Sequence, residues 1–402
     1  MIDDRLFEQI IGLEPPWYIQ KTEFSKEKKQ LDIYIDFQKG EKFKCSVCGE
    51  TSMTHDTERK SWRHLDMFQY KTYIHARIPR TKCTEHGVKQ VEIPWARKHS
   101  GFTLLFEKAI MTLAKQMPIK DVSELVGETD TRIWRIIEYY ITESLKKEDY
   151  STVKKIGIDE TSLRKGHTYI SLFVDLDKKK VIHICEGKEA ETVTTFAEKI
   201  KKQYGCPEII TDVSCDMSPA FIKGVHDNLP AAEITFDRFH VMKLMNEAVD
   251  KVRKEERKNN DELRNTRYIW LKNHDNLTEE QRVTLKNIQQ LNIKTVRAYR
   301  IKLAFQDIFQ QAPDNAEWSL KAWYSWAIRS RLEPIKQFAQ TVKRHWDGIL
   351  RWFKSKINNG ILEGLNSIIQ SAKAKARGFR TFKYFAYCVY LVAGKLNFDL
   401  PI

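Results

Sequence analysis

The sequence lacks any run of about 18 uncharged apolar residues, the length that a helix needs to cross a bilayer. We therefore expect no membrane-spanning segment. The first eleven residues contain Asp3, Asp4 and Glu8, and they lack the basic start and apolar stretch of a secretory signal. These two absences predict a cytoplasmic protein.

Cysteine is also scarce, with seven residues in a chain of 402, and an odd number does not make a disulfide framework. In a chain without an export signal, such thiols are typically reduced, and they favour a metal site over disulfides. The length indicates two to four domains, because a domain usually holds about 100–200 residues.

A charge excess is absent from the first 240 residues. Residues 1–153 hold 25 basic and 24 acidic side chains and residues 154–240 hold 13 and 14, whereas residues 241–402 hold 30 and 16, a net charge of +14. Basic surfaces attract phosphates, and aromatic rings stack on exposed bases. The last region therefore indicates a nucleic-acid partner, and solvated helical faces are the alternative explanation of its charge. The tryptophans available for stacking there are Trp323, Trp326, Trp346 and Trp352.

Two short motifs near the N-terminus carry metal-ligand spacing. Cys45 and Cys48 form one pair, Cys83 and His86 form the other, and a glycine follows each pair. Each pair offers two ligands from one tight turn, as a tetrahedral Zn²⁺ requires. The 34 residues between the pairs suit a zinc ribbon with hairpin strands. We predict one structural Zn²⁺, and buried free cysteines in a small β domain are the alternative.

Residues 102–147 have a helical apolar period with a turn at Gly127. They predict a helix, a short helix, this turn and a third helix that starts two or three residues later, which is the outline of a helix-turn-helix. Its last helix can enter a DNA major groove, so Thr131, Arg132 and Arg135 would face DNA. A helical hairpin that only packs is the alternative.

From residue 154 the apolar period changes from helical to β. Three strands, a helix, a strand, a helix and a strand follow in an order that predicts a ribonuclease H-like fold, a mixed five-stranded sheet with helices. The chain then reads as helical from 241 to 356, and a last aromatic helix is predicted at 382–392. The strands are predicted at 155–162, 169–175, 180–185, 207–216 and 232–237, and tight turns at 164–166 and 358–360.

Three carboxylates are candidates for a metal site. Asp159 lies inside the first strand, where an unpaired buried carboxylate would cost several kcal/mol. Asp216 ends the fourth strand, which neighbours the first in such a sheet, and a divalent cation between the two acids would offset their repulsion. Asp212 competes for this second position. Glu363 opens a helix after a turn and completes a site for two Mg²⁺ or Mn²⁺ ions that catalyse phosphoryl transfer. Solvated carboxylates are expected at Glu160, Asp175 and Glu186.

Five motifs then resemble one known group. They are GIDET at 157–161, DMSPAF at 216–221, FDRFHV at 236–241, LEGLNS at 362–367 and RGFR at 377–380. In this order they resemble the DDE transposases of bacterial insertion sequences, specifically the ISL-three family, over nearly the whole chain. The resemblance implies that Asp159, Asp216 and Glu363 are the metal-binding catalytic triad and that about 242–357 is a helical insertion. Asp237 and His240 match the Asp-x-x-His signature of such transposases, whereas His86 stands where a cysteine is often expected.

Further residues near the triad have candidate supporting roles. His240 follows a strand and precedes a basic helix, so it could orient a phosphate or a carboxylate, or be a structural histidine. Asn366 lies three residues after Glu363, on the same helix face, where its amide could hold a metal-bound water or a phosphate. A basic stripe follows, which would contact the scissile strand or else form an exposed face. This basic stripe consists of Lys373, Lys375, Arg377 and Arg380.

Together these predictions describe a DNA transposase that binds the ends of its insertion sequence and cuts and transfers strands. The expected partners are double-stranded DNA, as terminal inverted repeats and target, and further copies of the chain in a homodimer or larger assembly near the nucleoid. A non-catalytic DNA-binding regulator, or a metal-dependent nuclease or resolvase, is the alternative. The predicted domains are a zinc ribbon (1–100), a helix-turn-helix (101–150), the first part of the core (151–241), the insertion (242–357) and the final core helices (358–402).

Overall fold

The computed structural model describes residues 4–163, 169–272, 276–291, 293–357 and 360–400. The predicted turn at 164–166 and the first two residues of that at 358–360 lie outside the described residues. The described chain forms two compact units, an N-terminal unit up to Ser144 that also includes residues from Asn397, and a second unit, Leu145–Leu396. Within the described ranges, every helix is too short or too polar to cross a membrane.

The N-terminal unit is built on a six-stranded sheet with the order β1-β2-β5-β4-β3, in which β6 also pairs with β5. Side chains of β2 alternate between buried and half-buried positions, as a sheet with one face on a core requires. Most of this sheet was not predicted, since strands were expected only between the two ligand pairs. The elements are α1 (Asp4–Ile11), β1 (Trp17–Ser25), β2 (Gln30–Phe37), β3 (Lys42–Lys44), β4 (Thr51–Met67), β5 (Tyr70–Cys83) and β6 (Gly87–Gln90).

Three helices follow in the same unit: α2 (Leu104–Ala114), α3 (Ile119–Val126) and α4 (Asp130–Lys146). The Thr103 hydroxyl caps α2 by accepting from the Phe106 N–H. Gly127 ends α3 in the left-handed region, φ 62°, which glycine adopts without strain. The predicted helix, short helix, turn and helix are confirmed.

Residues from the other end of the chain pack on these helices. The Ser144 hydroxyl at the end of α4 donates to the Asn397 carbonyl at 2.7 Å. The Lys115 amine lies 4.9 Å from the centre of the Phe398 ring. The N-terminal unit is therefore made from two distant parts of the sequence.

The second unit contains a mixed five-stranded sheet with the order β11-β10-β7-β8-β9. Strands β7 to β9 form an antiparallel meander, and β10 and β11 run parallel to β7. The predicted order of strands and helices is confirmed, although the fourth strand is shorter because Pro207–Ile209 forms a 3-10 turn. The elements are β7 (Lys155–Ser162), β8 (Tyr169–Asp175), β9 (Lys180–Glu186), α5 (Glu191–Lys202), β10 (Asp212–Cys215), α6 (Pro219–Asn228) and β11 (Glu233–Phe236).

Among the described residues of the second unit, nine further helices share one hydrophobic core with this sheet or pack beside it. Trp323 was expected to be available for stacking on bases, and this is wrong, since it is 3% exposed and its indole donates to the Ile301 carbonyl at 2.9 Å. The helices are α7 (Arg238–Glu256), α8 (Arg267–Leu271), α9 (Glu279–Gln289), α10 (Lys294–Ile308), α11 (Pro313–Ile328), α12 (Glu333–Arg344), α13 (Trp346–Ser355), α14 (Gly360–Lys375) and α15 (Phe382–Ala393).

Candidate active site

Two of the predicted acids lie at equivalent positions of neighbouring parallel strands. Strands β7 and β10 pair in register as far as Gly157 and Ser214. Two residues further along the chain are Asp159, which lies within β7, and Asp216, which directly follows β10. Because the two strands are parallel and in register, both carboxylates lie at the level where β10 ends, on the side of the sheet where open α/β sheets bind ligands.

Asp237 follows the next parallel strand, β11, and its N–H donates to the Cys215 carbonyl at 3.0 Å. One carboxylate oxygen caps α7 by accepting from the Phe239 N–H at 2.9 Å. The other lies 2.8 Å from His240 Nδ1. This hydrogen bond, with the nearby charge of Asp237, raises the pKa of His240 above its ordinary value, although burial opposes the shift. The cationic imidazolium is therefore favoured beside the acids.

Helix α14 is fixed on β7 by side-chain hydrogen bonds. Asn366 Nδ2 donates to Asp159 Oδ2, and Gln370 Nε2 donates to the Thr161 hydroxyl at 2.5 Å. Close approach is possible because β7 has a glycine at position 157, where a Cβ would lie 2.7 Å from Leu362. These contacts bring the third predicted acid, one turn before Asn366, to the ends of the strands.

A cavity of about 390 Å³ lies at this point, and we call it the acid cavity. All six residues that were predicted as catalytic or supporting line it. The lining residues are Ile158, Asp159, Glu160, Asp216, Asp237, Phe239, His240, Leu362, Glu363, Asn366, Ser367 and Gln370.

The acid cavity disfavours the negative charge of its own carboxylates. Burial raises the pKa of Asp159 to about 6, and the charges of Asp237 and Asp216 act in the same direction. Asn366 Oδ1 is buried without a hydrogen-bond partner in the described structure. Several carboxylate oxygens and an unpaired amide oxygen form the donor set that Mg²⁺ prefers. The residues present therefore fit a divalent cation.

Two carboxylates do not match the sequence prediction. Glu160 was expected to be solvated, but it is half-buried in the acid cavity, and burial together with the Asp216 charge raises its pKa. Asp175 is 2% exposed and accepts hydrogen bonds from the backbone of the turn after β8, so its expected solvation is wrong. The competing Asp212 lies at the opposite end of β10, where it pairs with Arg351 at 2.8 Å.

Gln370 was missed, although the sequence contains a signal for it. It lies seven residues after Glu363 and four after Asn366, spacings that place all three on one helix face. A polar side chain on this face of a candidate catalytic helix indicates a contact with the strand beneath it.

The four predicted zinc ligands form a cluster in the N-terminal unit. Their ligand atoms all lie within 4.8 Å of one another. Cys83 Sγ is 3.5 Å from both Cys48 Sγ and His86 Nδ1. The backbone N–H groups of Cys48 and Val47 lower the pKa of the Cys45 thiol. The backbone hydrogen bond from His86 acts in the same direction on Cys83, but burial and the side chains of Cys48 and Glu50 outweigh it and raise the pKa of that thiol to about 11.

The predicted DNA-contacting side chains differ in whether they are exposed or already bound to other groups of the protein. Thr131 and Arg135 are exposed on α4, whereas Arg132 pairs with Glu128 and its guanidinium lies 4.3 Å from the centre of the Phe102 ring. In the basic stripe, Lys375, Arg377 and Arg380 are exposed, but the Lys373 amine donates to the Ser162 carbonyl. Arg132 and Lys373 are therefore held by the protein itself.

Comparison with known families decides the classification. A family model described as "Transposase", for the DDE region of ISL3 elements, matches residues 156–389, more than half of the chain. The chain belongs to the ISL3 transposase family. Two further models match this transposase, a helix-turn-helix domain of transposase family ISL3 at residues 91–141 and a zinc finger of related transposases at residues 41–86. The predicted family, helix-turn-helix and zinc ribbon are confirmed, and the helix-turn-helix implies DNA binding.

Curated relatives of this ISL3 transposase align along almost its whole length. The transposase for insertion sequence element IS1001 of Bordetella parapertussis is 27% identical, covering 96% of this chain and 97% of the relative. The transposase for IS1557 of Mycobacterium tuberculosis is 26% identical, covering 94% and 92%. A simian T-cell lymphotropic virus intasome structure aligns with 46% of this chain and 67% of its own, at 14% identity and a TM-score of 0.19, which is too low to bear on the fold.

Proposed function

We propose that this ISL3 transposase binds the ends of its insertion sequence and cuts and joins DNA strands by metal-dependent phosphoryl transfer. One observation carries the proposal: Asp159, Asp216 and Glu363 line a single cavity. They are 57 and 147 positions apart along the chain, so the fold has to bring them together. The buried Asn366 oxygen and the raised Asp159 pKa support a cation there.

Each side chain has a role in this proposal. Asp159, Asp216 and Glu363 would hold two Mg²⁺ or Mn²⁺ ions, which supply charge neutralisation and activation of the attacking oxygen. Asn366 holds Asp159 in place and has an oxygen left to bind a cation. His240, positioned by Asp237, places a positive charge next to the scissile phosphate. The exposed residues of the basic stripe hold the DNA backbone beyond it.

The fold supports a finer division of the chain. We propose a ribonuclease H-like core made from residues 151–241 and 358–402, with 242–357 inserted between them. The strand order β11-β10-β7-β8-β9, with Asp159 within β7 and Asp216 directly after β10, supports this interpretation. Residues 1–100 and 101–150 would be the zinc ribbon and the helix-turn-helix.

The ligand cluster supports one structural Zn²⁺. A tetrahedral site with Zn–S of about 2.3 Å and Zn–N of about 2.0 Å places its ligand atoms about 3.5–3.8 Å apart. The 3.5 Å between Cys83 Sγ and His86 Nδ1 matches the sulfur–nitrogen value, whereas the 3.5 Å between Cys83 Sγ and Cys48 Sγ lies below the sulfur–sulfur value of about 3.8 Å. All four ligand atoms lie within 4.8 Å of one another, so the three cysteines and one histidine form a donor set that suits a structural Zn²⁺.

We propose terminal inverted repeats and target DNA as the partners of this bacterial protein, which places it at the nucleoid in the cytoplasm. The exposed Thr131 and Arg135 of α4 support contacts at the ends. Joining both ends of an element to one target needs two active sites, so we propose a homodimer or larger assembly on DNA.

The proposal is tested by incubating the purified protein with Mg²⁺ and DNA that carries the ends flanking its gene. We expect cleavage at the ends and covalent joining to a second duplex, and neither product with Glu363→Gln. Binding without cleavage would instead support the non-catalytic regulator, and cleavage without joining would support a nuclease or resolvase.

A further inference from the structure

A second cavity, of about 800 Å³, lies beside the acid cavity, and we call it the side cavity. Asp237, Phe239 and Glu363 line both cavities, so the two are neighbours. Helices α7, α8, α10 and α13 supply most of the other walls. Cavities of about 300–1,000 Å³ take small organic groups, and this one has room for a nucleoside with its phosphate.

Aromatic rings lie at the junction of the two cavities and on the wall of the side cavity. Phe239 is 57% exposed and lies at the junction of the two cavities. Trp352 lines the wall and is only half-buried. Aromatic faces of this kind bind bases that have left their stack.

Positive charges surround these rings. The Arg238 guanidinium lies 5.6 Å and the Lys356 amine 4.7 Å from the centre of the Trp352 ring. Lys243 and Arg267 also line the side cavity. Of its acids, Glu363 belongs to the proposed metal site, Asp237 pairs with His240, and Asp250 pairs with Arg253, Lys254 and Arg267. Glu247 is exposed and points its charge into solvent-accessible space, so Arg238 and Lys356 beside Trp352 are the groups of this wall that suit a phosphate.

One polar atom of the wall has no partner. Asn246 lines the side cavity, and its Oδ1 is buried without a hydrogen bond in the described structure. Burying such an acceptor unpaired is costly. The Watson–Crick edge of a base carries the N–H donors that would satisfy it.

We propose that the side cavity receives one unstacked nucleotide that flanks the scissile phosphate, with its base on Phe239 and Trp352 and its phosphate near Arg238 and Lys356. This inference rests on the proposed cleavage activity at the acid cavity. A paired base cannot reach the side cavity from a duplex, so entry requires the nucleotide to leave the helix.

The test combines a protein change with a DNA change. Cleavage rates of the full-length protein are measured on end DNA with Mg²⁺, for wild type and Phe239→Ala, using intact DNA and a set of DNAs with one abasic site near the cleaved bond. On intact DNA, Phe239→Ala should reduce the rate about tenfold, because a base–aromatic stack is worth roughly that factor. At one abasic position the two proteins should cleave equally, since no base is left to stack. Phe239→Tyr, which keeps the ring, should restore the rate.

The matched control is Trp318→Ala, which removes a tryptophan that is 74% exposed and does not line either cavity. It should cleave like wild type on every DNA. The proposal is wrong if Phe239→Ala has no effect on intact DNA, or if its loss is the same at all abasic positions. If wild type does not cleave the ends at all, the proposed function fails instead. Asn246→Leu provides a second variant, and its defect should disappear at the same abasic position.

Discussion

The ligand cluster of the N-terminal unit and the acid cavity of the second unit differ in how the chain assembles them. Cys45 and Cys48 come from one turn, and Cys83 and His86 from another, so each half of the cluster is local. Each acid of the proposed triad instead comes from a separate part of the fold: Asp159 from within β7, Asp216 from the end of β10 and Glu363 from α14. A local pair can form early, whereas the acid cavity requires the finished sheet.

The two sites also differ in the sign of their contribution to the stability of the fold. Deprotonated cysteines that meet a structural zinc stabilise a small fold. Carboxylates that lie together in a half-buried cavity destabilise the fold when no cation is bound to them, which agrees with the raised pKa of Asp159. The first site is therefore expected to hold the protein together, and the second to be maintained by the rest of the protein.

The largest expected effect is loss of zinc. Cys45→Ser should remove one Zn²⁺ per chain and unfold the N-terminal unit, because structural zinc supplies about 10–16 kcal/mol of apparent binding free energy. Elemental analysis and thermal unfolding measure this. Cys206→Ser, at an exposed cysteine outside the cluster, is the control and should change neither. A folded N-terminal unit in zinc-free protein would contradict this prediction, because the zinc cluster would then not be what stabilises that unit.

Next in size is loss of a triad acid. Asp216→Asn or Glu363→Gln should lower single-turnover cleavage about a thousandfold or more, while end binding is kept because recognition lies in another unit. Asp212→Asn, at the opposite end of the same strand, is the control and should still cleave. Loss of cleavage in Asp212→Asn alone would reassign the second acid.

A smaller effect concerns the contribution of the acid cavity to the stability of the metal-free protein. The folded Asp159 carboxyl has a pKa of about 6, above its unfolded value of about 4, so the metal-free protein should lose stability as the pH rises from about 4 to 6. Asp159→Asn should therefore stabilise chelator-treated protein at pH 7 by roughly 3 kcal/mol, and not at pH 4. Melting curves at both pH values measure this. A variant less stable than wild type at pH 7 would contradict it.

The smallest expected effect concerns the basic stripe. Lys375→Ala and Arg377→Ala should each reduce the slope of log affinity against log salt by roughly 0.9, on specific and random DNA alike. Lys373→Ala should change the slope less, because that amine already binds the Ser162 carbonyl. Lys321→Ala, whose amine pairs with Glu317 at 2.7 Å, is the control. Unchanged slopes for both exposed residues would support the explanation of the charge as solvated faces.

Local patterns were predictable from the sequence and long-range ones were not. The two ligand pairs, the Gly127 turn and the strand order follow from neighbouring residues. The parallel pairing of β2 with β5 and the ion pair of Arg351 with Asp212 join distant segments, and the sequence contains no local signal for them. Glu363 was assigned to the triad with the help of the family resemblance, because many exposed helices carry glutamates in their first turn.

The contacts of Asn397 and Phe398 with the N-terminal helices have a consequence for biosynthesis. About 250 residues separate Ser144 from its partner Asn397, and a ribosome adds about 5–20 residues per second. The first unit to leave the ribosome therefore waits at least about 12 seconds for its last contacts, until the second unit has been translated. A frameshift that removes those residues would weaken the part of the protein made first.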